Sequence, residues 1–379
     1  MPKSMKGQPL HIISFENPFP ADYGGAIDVF YKVRALHEIG FEIHLHCFTE
    51  NRFEVAPELK ECTKQVYIYR KNKNPFFFFS KFPVPVVCRF RPELISNISK
   101  TAAPILFDGL QTTMVLHKAQ LANKKFLRLH NIESDFYAGM SRNETNYFKK
   151  MVYHFAGKKY LAYQKILPSF DHVFTLSCYE NDFVKTMMDE VTYVPVFHGN
   201  EKKETLSEYG KFALYHGDLR LADNKNAAKF LIKVFKKIPD YKLVIASSNG
   251  KKMVEKRIGD LKNVEFVELQ NSEQLDGLFR EAHINVMLSF QKSGTKLKLV
   301  NALFKSRFCL VNENMIDDAD VLKFCKMANS KEEFIANINM LKEKPFLDIA
   351  ERTIGLNGVL SDKANAMLMA GIIGSDTNN

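Results

Sequence analysis

Residues 289–311 read SFQKSGTKLKLVNALFKSRFCLV, and the reading of this stretch decides the fold. An apolar run at 284–288 precedes it and reads as a strand. A polar loop with Gly294 follows, then a helix that opens at Thr295 with Lys296 and Lys298. A second apolar strand, 308–311, closes the stretch. A strand, a glycine loop and a helix N-terminus together make an anion site. The first N–H groups of a helix have no partner within it, and its dipole places partial positive charge there. Two lysines oppose that dipole unless an anion, such as a diphosphate, lies between them. The plain alternative is a solvated lysine pair on an amphipathic helix.

The totals bound what such a site can belong to. At 379 residues the natural expectation is two domains. Hydrophobic content of 46% and charged content of 25% fit a globular protein. No apolar run approaches the roughly 20 residues that span a bilayer. The opening MPKSMKGQPLHIISF reads as a first strand rather than a signal peptide. A cytoplasmic protein is expected, with the inner face of the membrane as a second, peripheral address. Cys47, Cys62, Cys88, Cys178, Cys309 and Cys325 form no C-x-x-C pair. They read as reduced, buried thiols, with neither a metal site nor a disulfide framework. The net charge of +10 favours anionic partners: nucleotides, lipid headgroups or nucleic acid. No arginine-rich arm or nucleic-acid motif is present, so no nucleic-acid partner is expected.

Strand and helix signals alternate outward from the opening stretch. A strand at 10–15 leads into the loop ENPFPADYGG (16–25), an amphipathic helix at 26–39 stopped by Gly40, and a strand at 41–48. The loop stands at the carboxyl end of the first strand, where open parallel sheets bind ligands. There Gly24 and Gly25 permit close approach of backbone to a ligand, or simply make a turn. Further strands are expected at 65–70, 104–107, 126–129, 172–176 and 191–194, and helices at 92–100, from 109 to about 122, and at 144–167. His130, Asn131 and Glu133 follow the strand at 126–129. The simplest roles there are a strand-end histidine, an N-cap and a first-turn carboxylate.

The segment NPFFFFSKFPVPVVCRF (74–90) cannot form a regular amphipathic element. It reads either as a loop packed under the sheet or as an exposed apolar surface for a lipid-linked acceptor or a membrane. In the second case Lys71, Lys73, Lys81, Arg89 and Arg91 would lie near anionic headgroups. A polar break then separates two halves. The expected organisation is a domain at 1–196, a linker at 197–210, a second domain at 211–350, and C-terminal helices at 351–373 that pack back on the first domain. Each half has a glycine loop after its first strand, and the cleft between them is the default ligand site.

Four segments carry a resemblance to bacterial retaining glycosyltransferases of the GT-B fold, the family-4-like group. They are PFPADYGGAIDVFYKVRALHEIGFEIHLHCF, LRLHNIESDFY, LYHGDLRLADNKNAAKFL and SGTKLKLVNALFKSRFCLV. The last resembles the family's G-I-K-L-K-L-x-E-A-L, departing at Thr295 and Asn301. The resemblance implies an α/β GT-B fold of two doubly wound Rossmann-like domains facing across a cleft. It implies a second half that binds a nucleoside-diphosphate sugar, with no other cofactor and no metal. Gly217, Gly294, Thr295, Lys296 and Lys298 would meet the diphosphate, Gly24 and Gly25 would approach it from the first half, and Asn301 would face the nucleoside. His130 would steady the sugar as the leaving phosphate helps deprotonate the acceptor, giving transfer with retention. Positive charge at the diphosphate stabilises the charge that develops as it departs.

The chain departs from the family in places. Ser293 and Asn301 stand where a pair of glutamates is usual, and Asp218 stands where an arginine is usual. Arg220 and Lys225 are the basic residues nearby. Asn301 offers one acceptor oxygen and a donor NH₂ where a carboxylate would accept from both ribose hydroxyls. Two functions therefore stand side by side. One is a sugar transferase acting on a glycan, lipid-linked or other acceptor in polysaccharide or glycoconjugate biosynthesis. The other is a non-catalytic GT-B protein that serves as a scaffold for another transferase.

Overall fold

The computed structural model describes residues 5–200, 204–292, 297–347 and 350–375. Two parallel sheets organise them. The first contains β1 (Gln8–Ser14), β2 (Phe41–Thr49), β3 (Gln65–Arg70), β4 (Ile105–Asp108), β5 (Lys125–Leu129), β6 (His172–Thr175) and β7 (Val191–Tyr193), in the order β3-β2-β1-β4-β5-β6-β7. The second contains β8 (Phe212–His216), β9 (Leu243–Ser247), β10 (Val264–Glu268), β11 (Ala282–Met287), β12 (Phe308–Val311) and β13 (Lys326–Met327), in the order β10-β9-β8-β11-β12-β13. Central strands such as β4, β8 and β9 are buried along their whole length, as strands covered by helices on both faces must be. In each sheet the order reverses beside the first strand, between β1 and β4 and between β8 and β11. Those reversals open the crevices in which doubly wound sheets bind ligands.

The first helix is Gly24–Glu38, so Gly24 and Gly25 form its first turn rather than the end of a loop. Its N-cap, Tyr23, makes no side-chain capping bond. Asn131 is not an N-cap: the helix Glu133–Asn143 is entered through Ile132. The helix expected at 144–167 is Tyr147–Tyr163, separated from Glu133–Asn143 by a short break. At that break the Glu144 carboxylate accepts from Thr145 and Asn146 N–H, and the Asn146 side chain accepts from Lys149 N–H. These bonds satisfy the orphan donors of a new helix start. The helix expected up to residue 122 is a 3-10 turn, Leu110–His117. The two-residue β13 carries too little pattern to be read from sequence.

The Phe-rich segment is a 3-10 turn, Pro75–Phe79, capped by the Asn74 side chain. Phe76 and Phe79 are 74% and 81% exposed, while Phe77 packs inward on the first core. Further along, Val86 and Val87 are buried and Phe82 and Phe90 pack against the same core, so each reading of this segment holds in part: Phe76, Phe78 and Phe79 turn outward and these others pack. Three residues per turn can aim only one of four consecutive rings at the core.

The last two helices divide between the halves. Leu356 of Ala350–Val359 joins the second core. Ala366, Met369 and Ile373 of Asp362–Ser375 pack into the first core, against the first helix. The Asp362 carboxylate accepts the N–H groups of His198 (3.1 Å) and Gly199 (2.8 Å), which ties that helix to the connection between the halves. All six cysteines are free; Cys47, Cys62 and Cys309 are buried, and Cys88, Cys178 and Cys325 only half-buried. Among the described residues no helix is long and apolar enough to cross a membrane.

Candidate functional site

At the first crevice, β1, β4 and β5 end side by side, with Ser14 beside Asp108 and Asp108 beside Arg128. Asp28 and Lys32, one turn apart on the first helix, face these strand ends from within the core. The Lys32 ammonium lies 2.8 Å from Asp108 and 3.2 Å from Asp28. The second oxygen of Asp28 meets Arg128 at 3.3 Å and accepts the Phe197 N–H at 2.9 Å. Arg128 also donates to the carbonyls of Val194 (2.7 Å) and Pro195 (2.9 Å). Burial pushes both carboxyls up, but Lys32 and Arg128 outweigh it at Asp28, and Lys32 with the His130 hydrogen bond outweighs it at Asp108, so both are held below the usual carboxylate range.

His130 is the member of this network nearest solvent, its side chain 11% exposed. Its Nε2 is hydrogen-bonded to Asp108. An ionised carboxylate can only accept, so Nε2 carries the proton and Nδ1 is the free face of the ring. The Phe15 ring meets His130 edge-on, with centroids 5.4 Å apart. A Cβ at Gly25 would come within 2.8 Å of that Phe15 ring, whereas one at Gly24 would meet nothing within 4 Å. Gly25 thus makes room for the ring that supports His130, and Gly24 leaves its side of the helix start open.

Asp28, Asp108 and His130 are the one grouping among the described residues with metal-ligand spacing. The Lys32 ammonium already lies between the two carboxylates, so a cation placed there would have to displace a buried lysine.

Glu133 opens the next helix with its side chain buried. Burial pushes its carboxyl up to about 7, against the downward pull of an Asn131 hydrogen bond and Arg89.

At the second crevice, Gly217 follows β8 and packs against the Asn224 side chain. Asn224 Nδ2 donates to the Asp218 carbonyl at 3.0 Å, and its Oδ1 receives Lys298 Nζ at 3.5 Å. The same Lys298 ammonium stands 5.4 Å over the Tyr215 ring. Gly217 and Lys298 are therefore brought together, on the helix Leu297–Lys305 and the turn after β8. Burial and the Lys298 charge drive the His216 imidazole down to about 3, so it packs there as a neutral ring. Arg220 is exposed and grips Asp218 through three bonds of 2.8–3.0 Å, so the arginine nearest the usual position is paired with the residue that replaced it. Lys225 lies in the first turns of the helix Ala222–Phe235 and feels Asp218 and, from the first half, Glu144. Asn301 accepts from Asn200 Nδ2 at 2.9 Å through its only acceptor oxygen. Ser293, Gly294, Thr295 and Lys296 lie outside the described residues.

The halves touch around these crevices. Gln291 packs on Gly139, and Tyr193 donates to Asp318 at 2.7 Å. A cavity of 290 Å³ follows this seam, bordered by Ser177, Tyr179 and Tyr193 on one side and Lys292, Leu299 and Asp317 on the other. On the first half it is bordered by residues of and after β6 and β7, away from the strand-order reversal, and on the second by Lys292, Leu299 and Val300 after β11 and by residues 313–317 after β12; none of the described candidate catalytic or donor-binding residues borders it.

Sequence reading missed Asp28, Lys32, Asp108, Arg128 and Asn224. A signal existed for some: Asp28 and Lys32 are charges four apart on the apolar side of a helix, and Arg128 interrupts the apolar run Phe126–Leu129.

No protein-family model matches the chain. A Klebsiella pneumoniae relative, "Uncharacterized 44.6 kDa protein in cps region", is 26% identical over 324 residues, covering 78% of this chain and 81% of that one. Among solved structures, sucrose-phosphate synthase from Thermosynechococcus elongatus superposes with a TM-score of 0.66 at 16% identity, covering 98% of this chain and 99% of that one. TarM of S. aureus, in complex with Fondaparinux, alpha-GlcNAc-glycerol and UDP, gives 0.64 at 9% identity over 97% of this chain and 99% of its own. An alpha,alpha-trehalose-phosphate synthase (UDP-forming) from Burkholderia vietnamiensis gives 0.62 at 8% identity over 97% and 100%. Over its whole length the chain has the GT-B fold, an α/β architecture of two Rossmann-like halves.

Proposed function

We propose that the chain is a glycosyltransferase that moves a sugar from a nucleoside diphosphate to a glycan or lipid-linked acceptor, with retention and without a metal, in polysaccharide or glycoconjugate biosynthesis. One observation carries the reading. In a full-length GT-B fold, an oriented histidine stands at the first strand-order reversal, and a glycine turn with a lysine-bearing helix stands at the second. Gly217, the start of the helix Leu297–Lys305 and Lys298 would hold the diphosphate. Lys298 is half-buried beside Asn224, where a partly dry setting strengthens its pull on a departing phosphate. The Gly24 side of the first helix offers backbone N–H groups to the same anion. His130 would accept a sugar hydroxyl at Nδ1, while Asp108 holds the ring and balances any positive charge it gains. The Asn301 NH₂ would meet the ribose.

The scaffold reading is favoured by two pairings: Arg220 is held by Asp218, and the Asn301 oxygen by Asn200. Calorimetry with UDP, GDP, ADP and CDP separates the two readings. Binding of one nucleotide is expected, and Lys298→Ala should weaken it more than Lys305→Ala, because Lys305 is paired with Asp276 at 2.8 Å. Absence of binding by all four at millimolar concentration sinks the transferase reading. Equal effects of the two substitutions sink the phosphate role of Lys298.

A further inference from the structure

The helix Tyr147–Tyr163 is built inside out. Gly157, Tyr160 and Tyr163 face the protein, and Gly157 lets the helix approach the backbone of Ser134. Its solvent side carries large apolar residues: Tyr147 is 76% exposed, Phe148 75%, Phe155 46% and Met151 40%, with Leu161 at 58% beyond them. A solvent-facing helix side is normally polar. Beside it lies the turn Pro75–Phe79 with Phe76 and Phe79 outward. Lys159 joins the two elements: its Nζ donates to the Phe78 carbonyl at 2.6 Å and stands 5.5 Å from the Phe78 ring. The two segments, distant in sequence, therefore lie side by side where Lys159 meets Phe78, and both turn rings to solvent.

Within these two segments the charge has one sign, the adjoining acid being Glu144 at the N-terminal end of the helix. From residue 145 to 170 the chain has no Asp or Glu, but it has Lys149, Lys150, Lys158, Lys159 and Lys165. From 71 to 92 it again has no acid, and Lys81 adds to the same sign. A protein partner would need matching acids around an apolar pocket. A flat layer of anionic headgroups over hydrocarbon meets both features at once, since aromatic rings enter the interface and lysines remain at the phosphates.

We infer that the face formed by Tyr147–Tyr163 and Pro75–Phe79 docks the protein on an anionic lipid bilayer. The inference rests on this surface alone and does not depend on sugar transfer. The helix Glu133–Asn143 runs from the His130 loop to the docking helix, so a docked protein would keep its first crevice near the lipid.

Co-sedimentation of the full chain tests this with two kinds of vesicle, phosphatidylcholine alone and phosphatidylcholine mixed with phosphatidylglycerol. The chain should pellet with the mixed vesicles only. Binding should fall in about 1 M salt, where the screening length shrinks to about 3 Å. Phe148→Ser with Phe155→Ser, and separately Phe76→Ser with Phe79→Ser, should each lose on the order of tenfold or more in partitioning. Lys149→Glu with Lys158→Glu should lose at least about fivefold for each lysine. Leu347→Ser with Ile354→Ser, exposed apolar positions on the second half, should bind as the parent does. All variants should keep the parent melting temperature, since none of these side chains is buried. Equal binding by parent and ring variants overturns the inference, as does equal binding to neutral vesicles. It also fails if the chain ignores vesicles while the same substitutions dissolve a dimer in sedimentation equilibrium, for then a second copy covers the face. Nucleotide binding is measured separately and is unaffected by any of these outcomes.

Discussion

Glu133→Gln should free the protein from a loss of stability that sets in as pH rises. The Glu133 side chain is 5% exposed, and its burial outweighs the Asn131 hydrogen bond and Arg89 in setting its carboxyl at about 7. In the unfolded chain the ordinary value is 4.5. Between these values the folded protein keeps a proton that the unfolded chain has released, so stability is fully present below 4.5 and declines as pH climbs through 7. Each pH unit across that span costs ~1.36 kcal/mol, for a total of ~3 kcal/mol. The helix dipole favours a first-turn carboxylate by only about 0.3–1 kcal/mol, too little to reverse this. Glutamine keeps the shape, still accepts a bond from Asn131 and does not titrate. The variant should match the parent below pH 4.5 to within about one hydrogen bond, ~1 kcal/mol, and exceed it by up to ~3 kcal/mol above pH 7. For a domain of roughly 200 residues that is a gain of about 6–12 °C in melting temperature. Scanning calorimetry of both proteins across this pH range is the assay. If the two curves run parallel from pH 4.5 to 8, Glu133 is ionised in the fold and the burial argument is wrong.

Asp108→Asn leaves the buried Lys32 with one carboxylate and takes the charge from beneath His130; removing one partner of a buried pair costs about 3–5 kcal/mol. Urea unfolding should show a loss in that range, with nucleotide affinity unchanged and turnover reduced; a loss under ~1 kcal/mol would mean that the charges are not coupled. Gly25→Ala drives a methyl to 2.8 Å from Phe15 and should cost about 1–3 kcal/mol, while Gly24→Ala meets nothing within 4 Å and should be neutral or stabilising by up to ~1 kcal/mol. Melting temperatures that fall equally for the two alanines would contradict this difference in packing.

Much of the architecture is local information, and the sequence carried it. Alternating strand and helix periods, Gly40 as a helix stop and the glycine turn after β8 depend on a few neighbouring residues, and they specified two parallel sheets. Sequence pattern also placed His130 at a strand end and Lys298 at a helix start. The charge network could not be read this way. Lys32 meets Asp108 across 76 residues of chain, and Arg128 meets Asp28 across 100. Only the order β1-β4-β5 brings those strand ends under one helix. Glu133 looks like an ordinary first-turn acid until helix packing removes its water. Asn301 looks free to meet a ribose until the connection between the halves delivers Asn200 to its oxygen. The four phenylalanines could be read as core or as surface, because composition measures how apolar a segment is but not which way it faces. What the sequence determined was the series of strands, turns and helices. What only the tertiary structure decided was which charges meet in the dry interior and which rings stay in water, because both follow from contacts between segments far apart in the chain.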